Sequence, residues 1–184
     1  MGNIRRWQSL TTYRQPGRKL EMAGDVKTLL VLRHAKSSWD DAALDDHERP
    51  LNARGERDAP RIGQLAREEG LVPELIVSSD AVRARLTAAA MADATGGRIL
   101  LDPRLYHASA TGILAALRSV VEDNLETVMI VGHNPGLEEL VAVLTGELEH
   151  LPTAALAQVE LPIEGWSDLD TATRGTLIGV WRPS

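Results

Sequence analysis

Histidines, arginines and hydroxyl groups recur along the chain at points where short apolar runs end. Four such points carry the polar residues Arg33-His34-Ala35-Lys36-Ser37-Ser38, Ser78-Ser79-Asp80 with Arg83, Arg104 with Tyr106 and His107, and Gly132-His133-Asn134-Pro135. Guanidinium groups and the N-termini of helices both favour phosphate as a ligand. If the four points meet in the fold, their residue types predict a cationic, phosphate-binding site.

The apolar runs must be strands of one sheet for these residues to meet. Runs at 26–33, 74–79, 98–102 and 127–133 alternate with helical patterns, the first of which extends from the capping residue Asn52 to about Glu69. Strands that alternate with helices indicate a mostly parallel sheet with helices on both faces. Ligands bind such sheets beyond the carboxyl ends of the strands. The sequence therefore predicts one α/β domain, a three-layer α/β/α sandwich.

Several details of these elements are also predicted. The last two runs, at 154–162 and 175–181, have no helix between them, so we expect them to pair antiparallel at or near one edge of the sheet. Pro60 lies inside the first helical pattern and is expected to kink or split it. Asp80 is expected to cap the second helix, and Ser109 or Thr111 the helix at 109–123.

Residues 1–25 differ from the rest of the chain. They are basic, are interrupted by Gly and Pro, and show no clear periodicity, which predicts a weakly ordered N-terminal extension before a domain at 26–184. They contain no apolar segment of about 7–15 residues, the signature of a signal peptide. Together with the absence of cysteine, this favours a cytoplasmic location.

Composition limits the classes of partner and chemistry. With 20 basic and 26 acidic residues, the net charge is −6, which argues against nucleic acid or an anionic membrane surface as the main partner. No apolar run approaches the roughly 20 residues of a membrane span. The absence of cysteine excludes thiolate nucleophiles and Cys-ligated metal centres. A cationic pocket would oppose the average charge of this chain.

Each candidate residue also has a structural explanation. Ser78 and Ser79 could satisfy backbone groups at a strand end, Lys36 could be a surface charge, and His133 could begin a turn. A lone Arg33-His34 pair is common by chance. Independent structural roles, however, do not predict that such residues occur at successive strand ends. Their joint placement favours the functional interpretation.

Four motifs in this order resemble those of the histidine phosphatase superfamily, specifically the bacterial SixA-type phosphohistidine phosphatases. The motifs are LLVLRHAKSSW at 29–39, RPLNARGERDA at 49–59, SSDAVRARLTA at 78–88 and VGHNPGLEEL at 131–140. The resemblance covers about residues 26–162. Each motif is weak alone, but four at suitable separations make a specific match.

The resemblance implies a role for each matching residue. His34 would be a nucleophile that becomes transiently phosphorylated, and His133 would contact the same phosphoryl group. A neutral imidazole is a competent nucleophile near neutral pH, so neither a metal nor another cofactor is expected. The residues expected to bind the substrate are Arg33, Arg83, Ser78 and Lys36.

The expected proton donor differs from the family pattern. Many members place a Glu after the third strand, whereas this chain has His107 in that region. His107 or Asp46 could substitute, or the site could lack a dedicated acid. An imidazole or carboxylate leaving group needs protonation much less than an alkoxide does. This favours phosphohistidine or another activated phosphate as substrate.

Partners and alternatives follow from that expectation. The expected partner is a phosphorylated protein with a His-containing phosphotransfer domain, or else a small phosphorylated molecule. The chain could instead be a small-molecule phosphomonoesterase of the same superfamily or a non-catalytic phosphate-binding domain. A metal hydrolase that uses His34, His107, His133 and Asp80 is a weaker alternative, since no HExxH-like spacing occurs. His47 and His150 are interpreted as surface or loop residues.

Overall fold

Apolar runs at the predicted positions form the strands of a single sheet. The computed structural model describes residues 26–183, so the predicted N-terminal extension at 1–25 lies outside the described residues. The strands within them are β1 (Lys27–Arg33), β2 (Leu75–Ser78), β3 (Arg98–Leu101), β4 (Thr127–Gly132), β5 (Leu156–Leu161) and β6 (Thr176–Trp181). All six runs predicted from the sequence therefore form strands.

The sheet has the order β3-β2-β4-β1-β5-β6. Parallel pairing joins β3 to β2, β2 to β4, and β4 to β1. The last two strands pair antiparallel, and β5 also pairs antiparallel with β1. The prediction of a mostly parallel sheet with an antiparallel strand near one edge is confirmed. Because β1 and β4 are adjacent and parallel, their carboxyl ends lie side by side.

Helices cover both faces of the sheet and complete the three layers. The α-helices of residues 26–183 are α1 (Ala53–Glu68), α2 (Val82–Thr95), α3 (Ala110–Val120) and α4 (Gly136–Thr145). Alternate residues of β1 point to opposite faces: Leu30 packs in one buried cluster with α1 and α2, and Leu29 in another with α3 and α4. None of these helices is long and apolar enough to cross a membrane.

The helix ends confirm some predictions and correct others. Asn52 caps α1 by accepting a hydrogen bond from the backbone amide of Gly55, and Ser109 caps α3 in the same way. The expected split at Pro60 does not occur, since α1 runs continuously through it. The prediction that Asp80 caps α2 is wrong, because α2 begins at Val82 and its N-cap residue is Ala81. The Asp80 carboxylate instead accepts a hydrogen bond from His47.

Candidate active site

A cavity of about 250 Å³ lies beyond the carboxyl ends of β1 and β4. Its walls bring together most of the residues singled out in the sequence. The lining residues are Arg33, His34, Lys36, Ser37, Trp39, Asp46, Arg49, Arg83, His107, His133, Asn134 and Thr153. The predicted convergence of polar residues at successive strand ends therefore occurs.

His34 follows β1 and is 93% buried, with only 7% of its surface exposed. Its Nδ1 atom lies 2.7 Å from the carbonyl oxygen of Ala35, which can only accept a hydrogen bond. The proton is therefore assigned to Nδ1, and Nε2 carries the lone pair. Arg83 Nε donates to this Nε2 over 3.3 Å. The sequence did not identify the acceptor that fixes this tautomer.

The electrostatic environment keeps His34 neutral. Burial, together with the positive charges of Arg83, Arg33 and Arg49, lowers its pKa to about 4, although the hydrogen bond to Ala35 acts in the opposite direction. At pH 7 the imidazole is therefore uncharged. Its Nε2 carries no proton and can attack an electrophile in exchange for the 3.3 Å hydrogen bond from Arg83.

Arg83 is held by a carboxylate that the sequence did not single out as its partner. Its Nη2 atom donates to Asp46 Oδ2 over 2.9 Å, and its Nη1 atom donates to the backbone oxygen of Asp46. The Tyr106 hydroxyl donates to Asp46 Oδ2 over 2.7 Å. The guanidinium is thereby fixed against His34, with only 4% of the Arg83 residue exposed.

These contacts decide the ionisation state of Asp46. Partial desolvation raises its pKa, but the hydrogen bonds from Tyr106, Arg83 and Arg49 outweigh that effect and hold the pKa well below its ordinary value. The group is a carboxylate at neutral pH. The expectation that Asp46 could serve as the proton donor is therefore not supported by its environment.

His133 follows β4 and lies beside His34, with the two ring centroids 5.0 Å apart. Its Nε2 atom is 2.8 Å from the Ser79 hydroxyl, and its Nδ1 is 3.5 Å from Arg83 Nη2. Burial, together with the nearby His34, Arg83 and His107, lowers the pKa of His133 to about 3, although the charge of Asp46 acts in the opposite direction. Two neutral imidazoles and one guanidinium thus share a small volume.

The segment after Asp46 supplies a further arginine. Arg49 is buried and donates to Asp46 Oδ1 over 2.6 Å, to the backbone oxygen of Ser38 over 2.9 Å, and to the Ser37 hydroxyl. Its guanidinium also stacks on Trp39, with Cζ 3.2 Å from the ring centroid. No site role was predicted for Arg49, although it begins the RPLNARGERDA motif, which was the signal available in the sequence.

Two close approaches fix the loops that carry the histidines. A side chain at Gly55, in the first turn of α1, would overlap the backbone oxygen of Lys36. A side chain at Gly136, at the start of α4, would overlap the backbone oxygen of Ala108. Glycine is required at both positions because each helix abuts the loop beside it. The loops that follow β1 and β3 are thus seated directly on helix N-termini.

Arg33 is placed differently from the other arginines. Its Nη1 atom donates to the backbone oxygen of Leu151 over 2.9 Å, while its Nε atom is buried and has no hydrogen-bond partner among residues 26–183. Burial lowers its pKa, and the charge of Glu138 opposes this. A buried donor without a partner at the cavity wall fits an anionic ligand.

The remaining predicted residues divide into those at the cavity and those outside it. Lys36 is exposed and His107 is 63% exposed, and both line the cavity. Ser78 does not line it, because its buried hydroxyl donates to the backbone oxygen of Ser79. The prediction that Ser78 contacts the substrate is therefore not supported. The adjacent hydroxyl, that of Ser79, is the one that reaches His133.

The other two histidines, His47 and His150, do not line the cavity. His47 is hydrogen-bonded to Asp80, and the largely exposed His150 contacts Glu138. Within residues 26–183, no group of three or more His, Asp or Glu side chains has the arrangement needed to hold a metal ion. The donor set of the metal-hydrolase alternative is thus not assembled.

Comparison with known proteins agrees with this geometry. The family model of the histidine phosphatase superfamily (branch 1) matches residues 29–111. An uncharacterised chloroplastic protein of Arabidopsis thaliana is 35% identical over 152 residues, which are 77% of this chain and 70% of that protein.

Two solved structures extend the match to nearly their whole length. A proposed phosphohistidine phosphatase SixA from Nakamurella multipartitia superposes with a TM-score of 0.76 at 28% identity, over 86% of this chain and 96% of that one. Another proposed SixA, from Agrobacterium tumefaciens, gives a TM-score of 0.72 at 30% identity, over 86% and 99% of the two chains. The motifs, the fold and the cavity agree with these matches, and the chain belongs to the histidine phosphatase superfamily.

Proposed function

We propose that this protein is a metal-independent phosphohydrolase that removes the phosphoryl group from phosphohistidine in a protein partner. The observation that carries the proposal is the state of His34. This imidazole is buried and neutral, its Nδ1 proton is bound to a backbone carbonyl, and its Nε2 lone pair faces a guanidinium at the cavity. A nucleophile for phosphoryl transfer requires an unprotonated nitrogen, and this tautomer supplies one at Nε2.

The reaction takes place in two displacements at phosphorus. In the first, His34 Nε2 forms a bond to phosphorus while the bond from phosphorus to the leaving nitrogen breaks, and its electron pair departs with that nitrogen. In the second, water attacks phosphorus, the bond to Nε2 breaks, and its electron pair returns to His34. Water thereby supplies the fourth oxygen of inorganic phosphate and loses a proton to solvent.

Two arginines and a neutral histidine around His34 stabilise the charge on the phosphoryl group. Such transfers depend mainly on in-line positioning and on neutralising the equatorial oxygens. Arg83 adjoins His34 Nε2, Arg33 has a buried donor without a partner, and His133 lies alongside. We assign these three side chains to the phosphoryl oxygens, and the exposed Lys36 to the cavity entrance.

The choice of phosphohistidine rests on the proton donors near the cavity. Asp46 is held ionised, and His107 is largely exposed at the rim. An alkoxide leaving group depends on a positioned acid, whereas the second nitrogen of a phosphoimidazole takes up a proton from solvent near neutral pH. The names of the two similar solved structures support the same substrate class.

The test compares substrates and a matched pair of histidine variants, with EDTA present throughout. We expect the wild type to dephosphorylate a phosphorylated His-containing phosphotransfer domain with a higher kcat/KM than a sugar phosphate. His34→Asn should abolish turnover, while His150→Asn, which alters a histidine 78% exposed, should leave it unchanged. Preference for the sugar phosphate would instead favour a small-molecule phosphomonoesterase. Phosphate binding without any turnover would favour a non-catalytic domain.

A further inference from the structure

We propose that Trp39 determines specificity for the group that carries the phosphate, by stacking its open face on a planar ring such as the imidazole of phosphohistidine. This inference rests on the proposed function, because it concerns the leaving group of that reaction. Trp39 supplies a binding surface next to the phosphoryl position, and that surface selects planar rings.

Trp39 differs in chemical character from the rest of the cavity wall. Among the described residues that line the cavity it is the one large apolar side chain, whereas the others carry charged, imidazole, amide or hydroxyl groups. Those groups suit a phosphoryl group and water. An indole suits a flat and largely apolar partner. It is also 71% exposed, so a broad part of its surface remains accessible to a ligand.

One face of the indole is already occupied and is held in place. The Arg49 guanidinium lies over the ring, with Cζ 3.2 Å from the centroid. That guanidinium is in turn fixed by hydrogen bonds to the backbone oxygen of Ser38 and to Asp46. The accessible surface of Trp39 is therefore its opposite face and its edges. A ring that is backed by a fixed guanidinium presents a preorganised surface for stacking.

A short series of contacts connects Trp39 to the nucleophile. Arg49 and Arg83 share the Asp46 carboxylate, one on each oxygen, at 2.6 and 2.9 Å. Arg83 then contacts His34 Nε2 at 3.3 Å. The indole is thus held at a fixed place relative to the phosphoryl position. A substrate whose phosphorus faces His34 extends its leaving group into the rest of a cavity of which Trp39 is a wall.

Two substrates that share one bond type separate ring recognition from phosphoryl transfer. Hydrolysis of phosphoramidate and hydrolysis of N-phosphoimidazole both break a phosphorus–nitrogen bond, but only N-phosphoimidazole carries a ring. We expect Trp39→Leu to lower kcat/KM for N-phosphoimidazole by about five- to tenfold, the size of one aromatic stacking interaction. For phosphoramidate, kcat/KM of Trp39→Leu should stay within about twofold of the wild-type value. Trp39→Phe should restore most of the preference for the ring.

The inhibition constant of inorganic phosphate provides the structural control, since phosphate carries no ring and its binding reports on the residues assigned to the phosphoryl oxygens. It should be unchanged in Trp39→Leu. If Trp39→Leu lowers kcat/KM equally for both substrates, or for neither, Trp39 does not recognise the leaving group. The inference is then wrong, while the proposed function stands. If the wild-type protein hydrolyses phosphate esters but neither phosphorus–nitrogen compound, the proposed function itself fails and the inference fails with it.

Discussion

Asp46 and Arg83 form an ion pair inside the candidate active site, with Oδ2 and Nη2 2.9 Å apart. The guanidinium that faces His34 is therefore bound to an anion of the protein itself. A phosphoryl group that approaches His34 shares the donors of Arg83 with this carboxylate. The ion pair orients the guanidinium, but its negative charge also opposes the binding of a second anion.

Neutralising Asp46 should strengthen phosphate binding. In Asp46→Asn one negative charge beside Arg83 is removed while the side chain keeps its shape, so we expect the inhibition constant of inorganic phosphate to fall about fivefold at low ionic strength, and less at high salt. Asp45→Asn is the control, because it changes the net charge equally at an exposed neighbouring position. Weaker phosphate binding in Asp46→Asn would show that orientation of Arg83 outweighs repulsion.

The nucleophile should stay neutral far below the ordinary histidine pKa. Burial and the nearby arginines lower the pKa of His34 to about 4, so acid must reach that pH before a proton occupies the Nε2 lone pair. We expect its ring NMR signals, assigned with His34→Asn, to titrate with a midpoint near 4. Activity should persist through about pH 5 and fall below it. A midpoint near 6.5 would contradict this, provided that circular dichroism shows the fold intact.

Two adjacent serines form a matched pair for testing how His133 is positioned. Ser79 reaches His133 Nε2 at 2.8 Å, whereas the Ser78 hydroxyl contacts only a backbone oxygen. Both are fully buried, so each alanine substitution should lower the free energy of unfolding by a similar amount, about 1 kcal/mol.

The two variants should differ in catalysis. We expect Ser79→Ala to lower kcat about tenfold, because His133 loses the contact that orients its ring, and Ser78→Ala to stay within twofold. The measurements are steady-state kinetics and urea unfolding of both variants. Equal effects on kcat would mean that the Ser79 hydroxyl has a structural role only.

His107 is the histidine expected at the position of the family's acid, and its effect should depend on the leaving group. Its Nε2 atom lies at the cavity rim, 3.8 Å from Asp46 Oδ2. If it donates a proton, His107→Gln should lower hydrolysis of an alkyl phosphate about tenfold or more and that of N-phosphoimidazole less than threefold. Steady-state rates on the two substrates check this. A uniform loss would indicate that His107 only shapes the cavity.

The fold was accessible from the sequence because its strongest signals are local. Apolar runs that alternate with amphipathic helices predict a parallel sheet, and the parallel pairing of β1 with β4 places His34 beside His133. Capping by Asn52 and Ser109 was also readable, since each cap depends on a few adjacent residues.

The contacts that were missed depend on tertiary structure. Tyr106 reaches Asp46 across 60 positions of the sequence, and no local pattern marks that pair. Asp80 has the residue type of a helix cap, but His47 competes for its carboxylate in the folded chain. Ser78 and Ser79 are equivalent in the sequence. Because side chains alternate at a strand end, only the structure shows which hydroxyl faces the site.

Trapping the phosphorylated enzyme tests the central claim most directly. The protein is mixed with N-phosphoimidazole, quenched in alkali within the first turnover, digested and analysed by mass spectrometry. The account predicts one phosphoryl group on the peptide that contains His34, stable in alkali and lost in acid, and none in His34→Asn. Turnover by His34→Asn, or a wild-type enzyme that turns over with its label on another residue, would contradict the account.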